Sequence, residues 1–153
     1  MRAATSADAE AIFTILRTAS LAAFAHVFPP AEHPYPDDAI RAEWHHRLTD
    51  GATETLIAEL DGRADGYVAY ASELLVSLFV LPEAQGQGVG SALHDAALAA
   101  QPGLGARICR LWVLGRNDAA RAFYEHRGWH LDGRRRTANY PPYPELVGYT
   151  IEL

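Results

Sequence analysis

A chain of 153 residues is long enough for one α/β domain with a core on both faces of a sheet, so the expectation from length is a single domain over 1–153. A net charge of −6, with Arg134, Arg135 and Arg136 as the only basic run, argues against a nucleic-acid surface, and a lone cysteine, Cys109, excludes an internal disulfide or a cysteine metal cluster. A reduced thiol and the charges Asp8, Glu10 and Arg17 that interrupt the first apolar stretch point to a cytoplasmic protein without a membrane span, and all 13 basic residues being arginine in an alanine-rich chain points to a bacterial source.

Thr5 or Ser6 can cap a first helix, in which Ile12, Ile15, Leu16 and Ala19 recur at helical spacing as far as Phe24. Phe28-Pro29-Pro30 ends it, and Pro34 and Pro36 keep the following segment a loop. Ile40, Trp44 and Leu48 mark one face of a second helix. After Gly51 the period changes to that of strands, and 55–60 and 66–71 form a hairpin around Asp61-Gly62. The nearly continuous apolar run 74–81 reads as a central strand covered on both faces. It leads into Gln85-Gly86-Gln87-Gly88-Val89-Gly90 and a helix with the apolar stripe Ala92, Leu93, Ala96, Ala97 and Ala100, stopped by Gln101-Pro102-Gly103. A further strand covers 108–114, with Cys109 read as a buried small side chain. Asn117 or Asp118 then caps a short helix carrying Ala120, Phe123 and Tyr124, and Gly128 closes it. Two last strands, 129–137 and 147–153, flank the loop 138–144.

A strand feeding a glycine-rich turn that opens a helix presents unpaired N–H groups at the positive end of the helix dipole, which suits a phosphate. Gly86, Gln87, Val89 and Ser91 would supply N–H groups there, while Gly88 and Gly90 let the backbone approach an anion without a side chain between. A glycine turn alone is an ordinary surface feature, and Asn117 is equally a plain helix cap. Tyr124 lies two helical turns past Asn117, so both share a face, although core packing would also explain a tyrosine there. His45 and His46 are adjacent and lack the spacing of a metal pair, so no metal site is expected.

Gln85, Gly88 and Gly90 occupy the fixed positions of the pattern Gln/Arg-x-x-Gly-x-Gly/Ala. With the segment 117–125 and the order of elements, they make the chain resemble the GNAT N-acetyltransferases over nearly its whole length. The resemblance implies an α/β (α+β) fold with a central, mostly antiparallel mixed sheet, splayed central strands and helices on both faces. Only a short edge piece would precede the first helix. It also implies acetyl-CoA as cosubstrate and direct transfer to a primary amine of a small molecule or peptide. Main-chain groups of Leu78, Phe79 and Val80 would pair with the pantetheine arm across a gap opened by a bulge near 75–77. Asn117 and Tyr124 would also meet the cofactor. The Val80 N–H would stabilise the developing oxyanion, Tyr124 would protonate the departing thiolate, and Glu73 is the nearest candidate base, one residue out of phase unless a bulge restores it. Trp112 stands where members acting on protein N-termini often have a glutamate. The acceptor loops would contain His26, His33, Tyr35, Tyr140 and Tyr143, and the segment 140–149 would contribute to a homodimer. The alternative reading is an acyl-CoA-binding or sensory domain without catalysis. A Rossmann domain is disfavoured by the glycine spacing.

Overall fold

The computed structural model describes all of residues 1–153. Its strands are β1 (Arg2–Ala3), β2 (Glu54–Leu60), β3 (Arg63–Ala71), β4 (Leu74–Val80), β5 (Ile108–Leu114), β6 (His130–Thr137) and β7 (Glu145–Glu152). The helices are α1 (Ala9–Phe24), α2 (Asp37–Arg47), α3 (Val89–Ala100) and α4 (Asp118–Glu125). The α/β class expected from the sequence is what forms, with the first strand reduced to two residues that pair Arg2 with Ile57 and Ala3 with Leu56. The last strand begins at Glu145, two residues before the apolar pattern announces it.

The seven strands form one sheet in the order β1-β2-β3-β4-β5-β7-β6. Every neighbouring pair is antiparallel except β4 and β5. The β2–β3 turn takes Asp61 and Gly62 at φ of 51° and 77°, the left-handed pair that matches the twist of a two-residue hairpin. Two cores cover the two faces. On one, Ile12, Ile15 and Trp44 of α1 and α2 pack on Ile57, Tyr67 and Ala69; on the other, Leu93, Ala97 and Tyr124 of α3 and α4 pack on Val68, Leu75, Cys109 and Leu111. Cys109 is fully buried, as its strand position predicts. No helix is long and apolar enough to cross a membrane.

The feature that positions the site is the failure of β4 and β5 to stay paired. They share one registered pair, Leu74 with Arg110, supported by the Arg110 N–H donating to the Glu73 carbonyl at 2.9 Å. Beyond it the strands diverge. The β3–β4 register passes from Tyr70 opposite Leu75 to Ala69 opposite Ser77, so Val76 is an extra, unpaired residue. That bulge bends β4 away from β5 and opens the sheet.

Candidate active site

The opened sheet leaves a cleft of about 190 Å³ between β4 and β5, walled by Leu75 to Phe79, Leu111 to Leu114, Asn117, Ala120 and Tyr124, with Phe24, Tyr140 and Leu146 also in its lining. Which main-chain groups of β4 face it follows from strand alternation. The Leu81 N–H donates to the Asp65 carbonyl of the β3 side at 2.8 Å, so the main-chain groups of Leu81 and Phe79 point to β3 and those of Leu78 and Val80 point into the gap. The expectation for Leu78 and Val80 therefore agrees with the strand phase. That for Phe79 does not, because its main chain belongs to the β3 ladder. Its side chain is what borders the site, stacked on Tyr67 at 6.2 Å and edge-on to Phe24 at 6.3 Å.

At the open end of the cleft the glycine turn meets α3. Gly86 and Gly88 have φ of 74° and 85°, a conformation that L side chains rarely adopt, and Gly88 is the residue immediately before α3. The first intrahelical bond runs from Ala92 to Gly88 at 3.0 Å, so the N–H groups of Val89, Gly90 and Ser91 have no intrahelical acceptor. Gly90 is less constrained. A Cβ there would stand 3.6 Å from Val80 Cγ2, an ordinary contact. Gln85 holds the turn to the strand, its Nε2 donating to the Val80 carbonyl at 3.1 Å. Residue Gln85 of the motif is thus a brace across the end of β4.

One residue that sequence reasoning missed lies beside this turn. Arg127, just after α4, packs its guanidinium 4.1 Å from the Phe123 ring centroid and donates to Ser91 Oγ. It brings a cation without an acidic partner to the start of α3, where an anion is already favoured. Its position past the helix end gave no periodic signal.

Asn117 serves both readings at once. Its Oδ1 accepts the Ala120 N–H at 3.2 Å as the α4 cap, and its side chain also lines the cleft, where Nδ2 is not engaged by the cap. Tyr124 lies in the cleft wall, wedged between Phe123 (5.3 Å), Trp129 (5.6 Å) and His94 (6.4 Å). His94 is itself fixed, with Nε2 accepting the Trp129 indole N–H at 2.9 Å and Nδ1 at 2.7 Å from Asp95. The Tyr124 hydroxyl makes no hydrogen bond to the protein, and Tyr124 lines the cleft together with Leu75 to Phe79. Burial pushes its phenol well above the ordinary range, so it is neutral and a donor throughout physiological pH.

Glu73 is not placed as the expected base. It sits in the β3–β4 turn, at the end where β4 and β5 still meet, and its carboxylate is held by Arg110 at 3.2 Å instead of lining the cleft. The bulge falls at Val76, three residues further on, and so does not re-aim it. No aspartate, glutamate or histidine is among the cleft-lining residues. Of the acceptor-loop candidates, Tyr140 lines the cleft and packs on Phe28 at 5.5 Å. His26 reaches the Arg116 carbonyl at 3.3 Å, and Tyr35 turns inward against Phe13 at 6.5 Å. Neither His26 nor Tyr35 lines the cleft, and neither do His33 and Tyr143.

A larger cavity of about 630 Å³ lies between the start of α4 and the β6–β7 hairpin, bounded by Arg116, Arg121, Arg135 and Glu145. It shares no lining residue with the cleft and does not contain Tyr124. The chemistry follows the smaller space, which joins the gap-facing main chain of β4, the strand that runs on into the glycine turn, to the unengaged Tyr124 hydroxyl.

The model of the acetyltransferase (GNAT) family matches residues 13–129. A peptidyl-lysine N-acetyltransferase, YjaB of Salmonella typhimurium, is 30% identical over 120 residues, which is 76% of this chain and 79% of that protein. Among solved structures, a GCN5-related N-acetyltransferase from Rhodopseudomonas palustris superimposes with a TM-score of 0.82 at 23% identity, covering 99% of this chain and 94% of that one. An acetyltransferase from Salmonella typhimurium solved with acetyl-CoA superimposes with a TM-score of 0.72 at 19% identity, covering 99% and 92%.

Proposed function

Because the chain belongs to the acetyltransferase (GNAT) family, we propose that it moves an acetyl group from acetyl-CoA directly to a primary amine of a small molecule or peptide, with the whole of 1–153 as one catalytic domain. The observation that carries this reading is the splayed β4–β5 cleft, which opens onto the glycine turn and holds the unengaged Tyr124 hydroxyl. The residues fit the cosubstrate. The N–H groups from Gly86 to Ser91 and the Arg127 cation suit its phosphates, and the gap-facing N–H and C=O groups of Leu78, with the Val80 N–H, offer its amide arm a strand edge. The bound thioester supplies the activated acyl group.

The chain's own tasks divide along the cleft. Leu78 is the first gap-facing residue beyond the bulge and lines the cleft with Tyr124, whereas Val80 does not, so its N–H suits the oxygen on which negative charge develops better than that of Val80. Tyr124 donates a hydrogen bond to the departing sulfur. The amine loses its proton to water, since no acidic or imidazole side chain lines the cleft. Likeness to a peptidyl-lysine acetyltransferase puts lysine amines on the panel of acceptors to be tried. Half-exposed Leu131 and Tyr143, at 50% and 58%, support a homodimer contact on the C-terminal hairpin, and the single free, buried thiol of Cys109 suits a reducing, cytoplasmic setting.

The test is calorimetric titration with acetyl-CoA together with an amine panel monitored by a thiol reagent. Gly88→Val should remove binding while the circular dichroism spectrum persists, because a β-branched residue cannot hold φ of 85° without strain. Unchanged affinity in that variant would reject the cradle. Binding without turnover on any amine would leave an acyl-CoA-binding module.

A further inference from the structure

The rim of the cleft carries a cation with no acidic partner. Three of the arginines around β5, β6 and β7 are occupied: Arg110 by Glu73 at 3.2 Å, Arg134 by Asp132 at 2.7 Å, and Arg135 by Glu145 at 3.6 Å. Arg136 forms neither an ion pair nor a hydrogen bond, and its guanidinium stands 4.4 Å from the centroid of the Trp112 ring. Trp112 lines the cleft together with Tyr140, and Arg136 is close enough to Tyr140 for its charge to offset part of the burial that raises that phenol. Glu43, whose charge also reaches Tyr140, is engaged by Arg47 at 2.7 Å. Arg136 stands opposite Leu146 in the β6–β7 ladder and Trp112 opposite Gly148 in the β5–β7 ladder, two residues along β7 on the same face, and Arg134, already paired with Asp132, crosses above Gly148 to stack on the same indole at 4.6 Å.

A guanidinium stacked on an aromatic face has its ring-side surface covered, while the N–H edges that fork onto an oxyanion stay free. A chain with a net charge of −6 otherwise repels anions, so an unengaged arginine at this rim is a local inversion of its field. We infer that the acceptor carries an oxyanion, a carboxylate or a phosphate, beside its amine, and that Arg136 docks it against Trp112 while the amine enters the cleft. This rests on the acetyl-transfer reading of the cleft and adds the acceptor's charge to it.

The experiment compares matched amines that differ only in that group: amino acids against their amides, and phosphoethanolamine against ethanolamine. The anionic member of at least one pair should have a kcat/KM at least about tenfold higher, carried by KM, as a charge-assisted bidentate contact provides. The pair that responds separates carboxylate from phosphate. Arg136→Gln should equalise that pair through KM, Arg136→Lys should restore part of the preference, and Arg107→Gln, a charge removed just before β5 and outside the cleft lining, should keep it. A second readout does not require turnover. Tryptophan fluorescence of the CoA-loaded protein should show tighter binding of N-acetyl amino acids, or of N-acetylphosphoethanolamine, than of their neutral counterparts. Equal behaviour of all pairs in both assays, or a preference that survives Arg136→Gln, overturns the inference. CoA binding without turnover on any amine instead counts against the acetyl-transfer reading, and the fluorescence comparison on the CoA-loaded protein then decides the acceptor's charge.

Discussion

Tyr124 shows how burial sets the limits of a residue's chemistry. A phenol raised above its ordinary 10 is a poor source of a complete proton for a thiolate whose conjugate acid has a pKa of about 8.5, since the transfer runs uphill by at least about 2 kcal/mol. Its contribution is then a hydrogen bond to developing negative charge, worth about 1.5 to 3 kcal/mol. Tyr124→Phe should lower kcat by roughly 10- to 100-fold and leave acetyl-CoA affinity intact; equal kcat values under conditions where chemistry limits the rate would assign the side chain to packing. The pH dependence follows from the same surroundings. With the Tyr124 pKa raised, its hydroxyl stays protonated as pH rises through neutrality, and no cleft group titrates in its place, so kcat/KM should climb with pH until the acceptor amine itself is neutral. A plateau well below the amine's own pKa would reveal a base on the enzyme.

Two of the sheet's three register shifts decide the shape of the site's elements. The one at Val76 opens the cleft, and the second, Asp132-Gly133-Arg134, folds β6 over β7, where the register jumps from Leu131 opposite Tyr149 to Arg135 opposite Val147. Asp132 stitches this second bulge, accepting from the Arg134 N–H at 3.0 Å and from Thr150 Oγ1 at 2.6 Å. Burial alone would raise the Asp132 carboxyl, but its bonds to Arg134 and Thr150 outweigh that and hold it at about 2. The fold over β7 is possible only because Gly148 lies beneath it. A Cβ there would meet Asp132 Oδ1 at 2.7 Å and Arg134 Cβ at 3.0 Å. Gly148→Ala should therefore lower stability by about 1–3 kcal/mol, shift the denaturant midpoint without changing m, and disturb the Trp112–Arg134 contact. An unaltered midpoint would show that the bulge yields freely.

For the molecule as a whole, the unequal cover of the sheet separates the sites. Helices α1 and α2 pack over β3 and β4, while the β5–β7–β6 half presents Trp112 and Arg136 beyond them on the same face. The cosubstrate cradle at α3 and the anion-reading rim therefore approach the cleft through different walls. The outer edge of β6 carries Arg135 and Arg136, like charges that discourage symmetric strand-to-strand pairing, so the homodimer should form through Leu131 and Tyr143 instead. Light scattering at micromolar concentration should give twice the chain mass, falling to the monomer when both residues are replaced by serine. A monomer mass for the unaltered protein would exclude the dimer.

Local chemistry was enough to read much of this protein from its sequence. Period and turn residues marked all four helices and six of the seven strands, and Gly86 and Gly88 announced the turn before α3 because a left-handed backbone admits little else. Asn117 and Tyr124 were legible from helical spacing. The phase of β4 was not. Whether Phe79 or its neighbours present main-chain groups to the gap depends on how the strand registers against β3, and a one-residue bulge leaves no mark in composition. Glu73 looked close in sequence because the distance along a strand is not the distance to a cleft, and the pairing of Glu73 with Arg110 spans 37 positions. Arg127, Arg136 and Gly148 acquire their roles from partners on other elements, Ser91, Trp112 and Asp132. Only tertiary structure brings those residues together, because their positions are set by sheet order and splay, which are long-range properties of the packed chain.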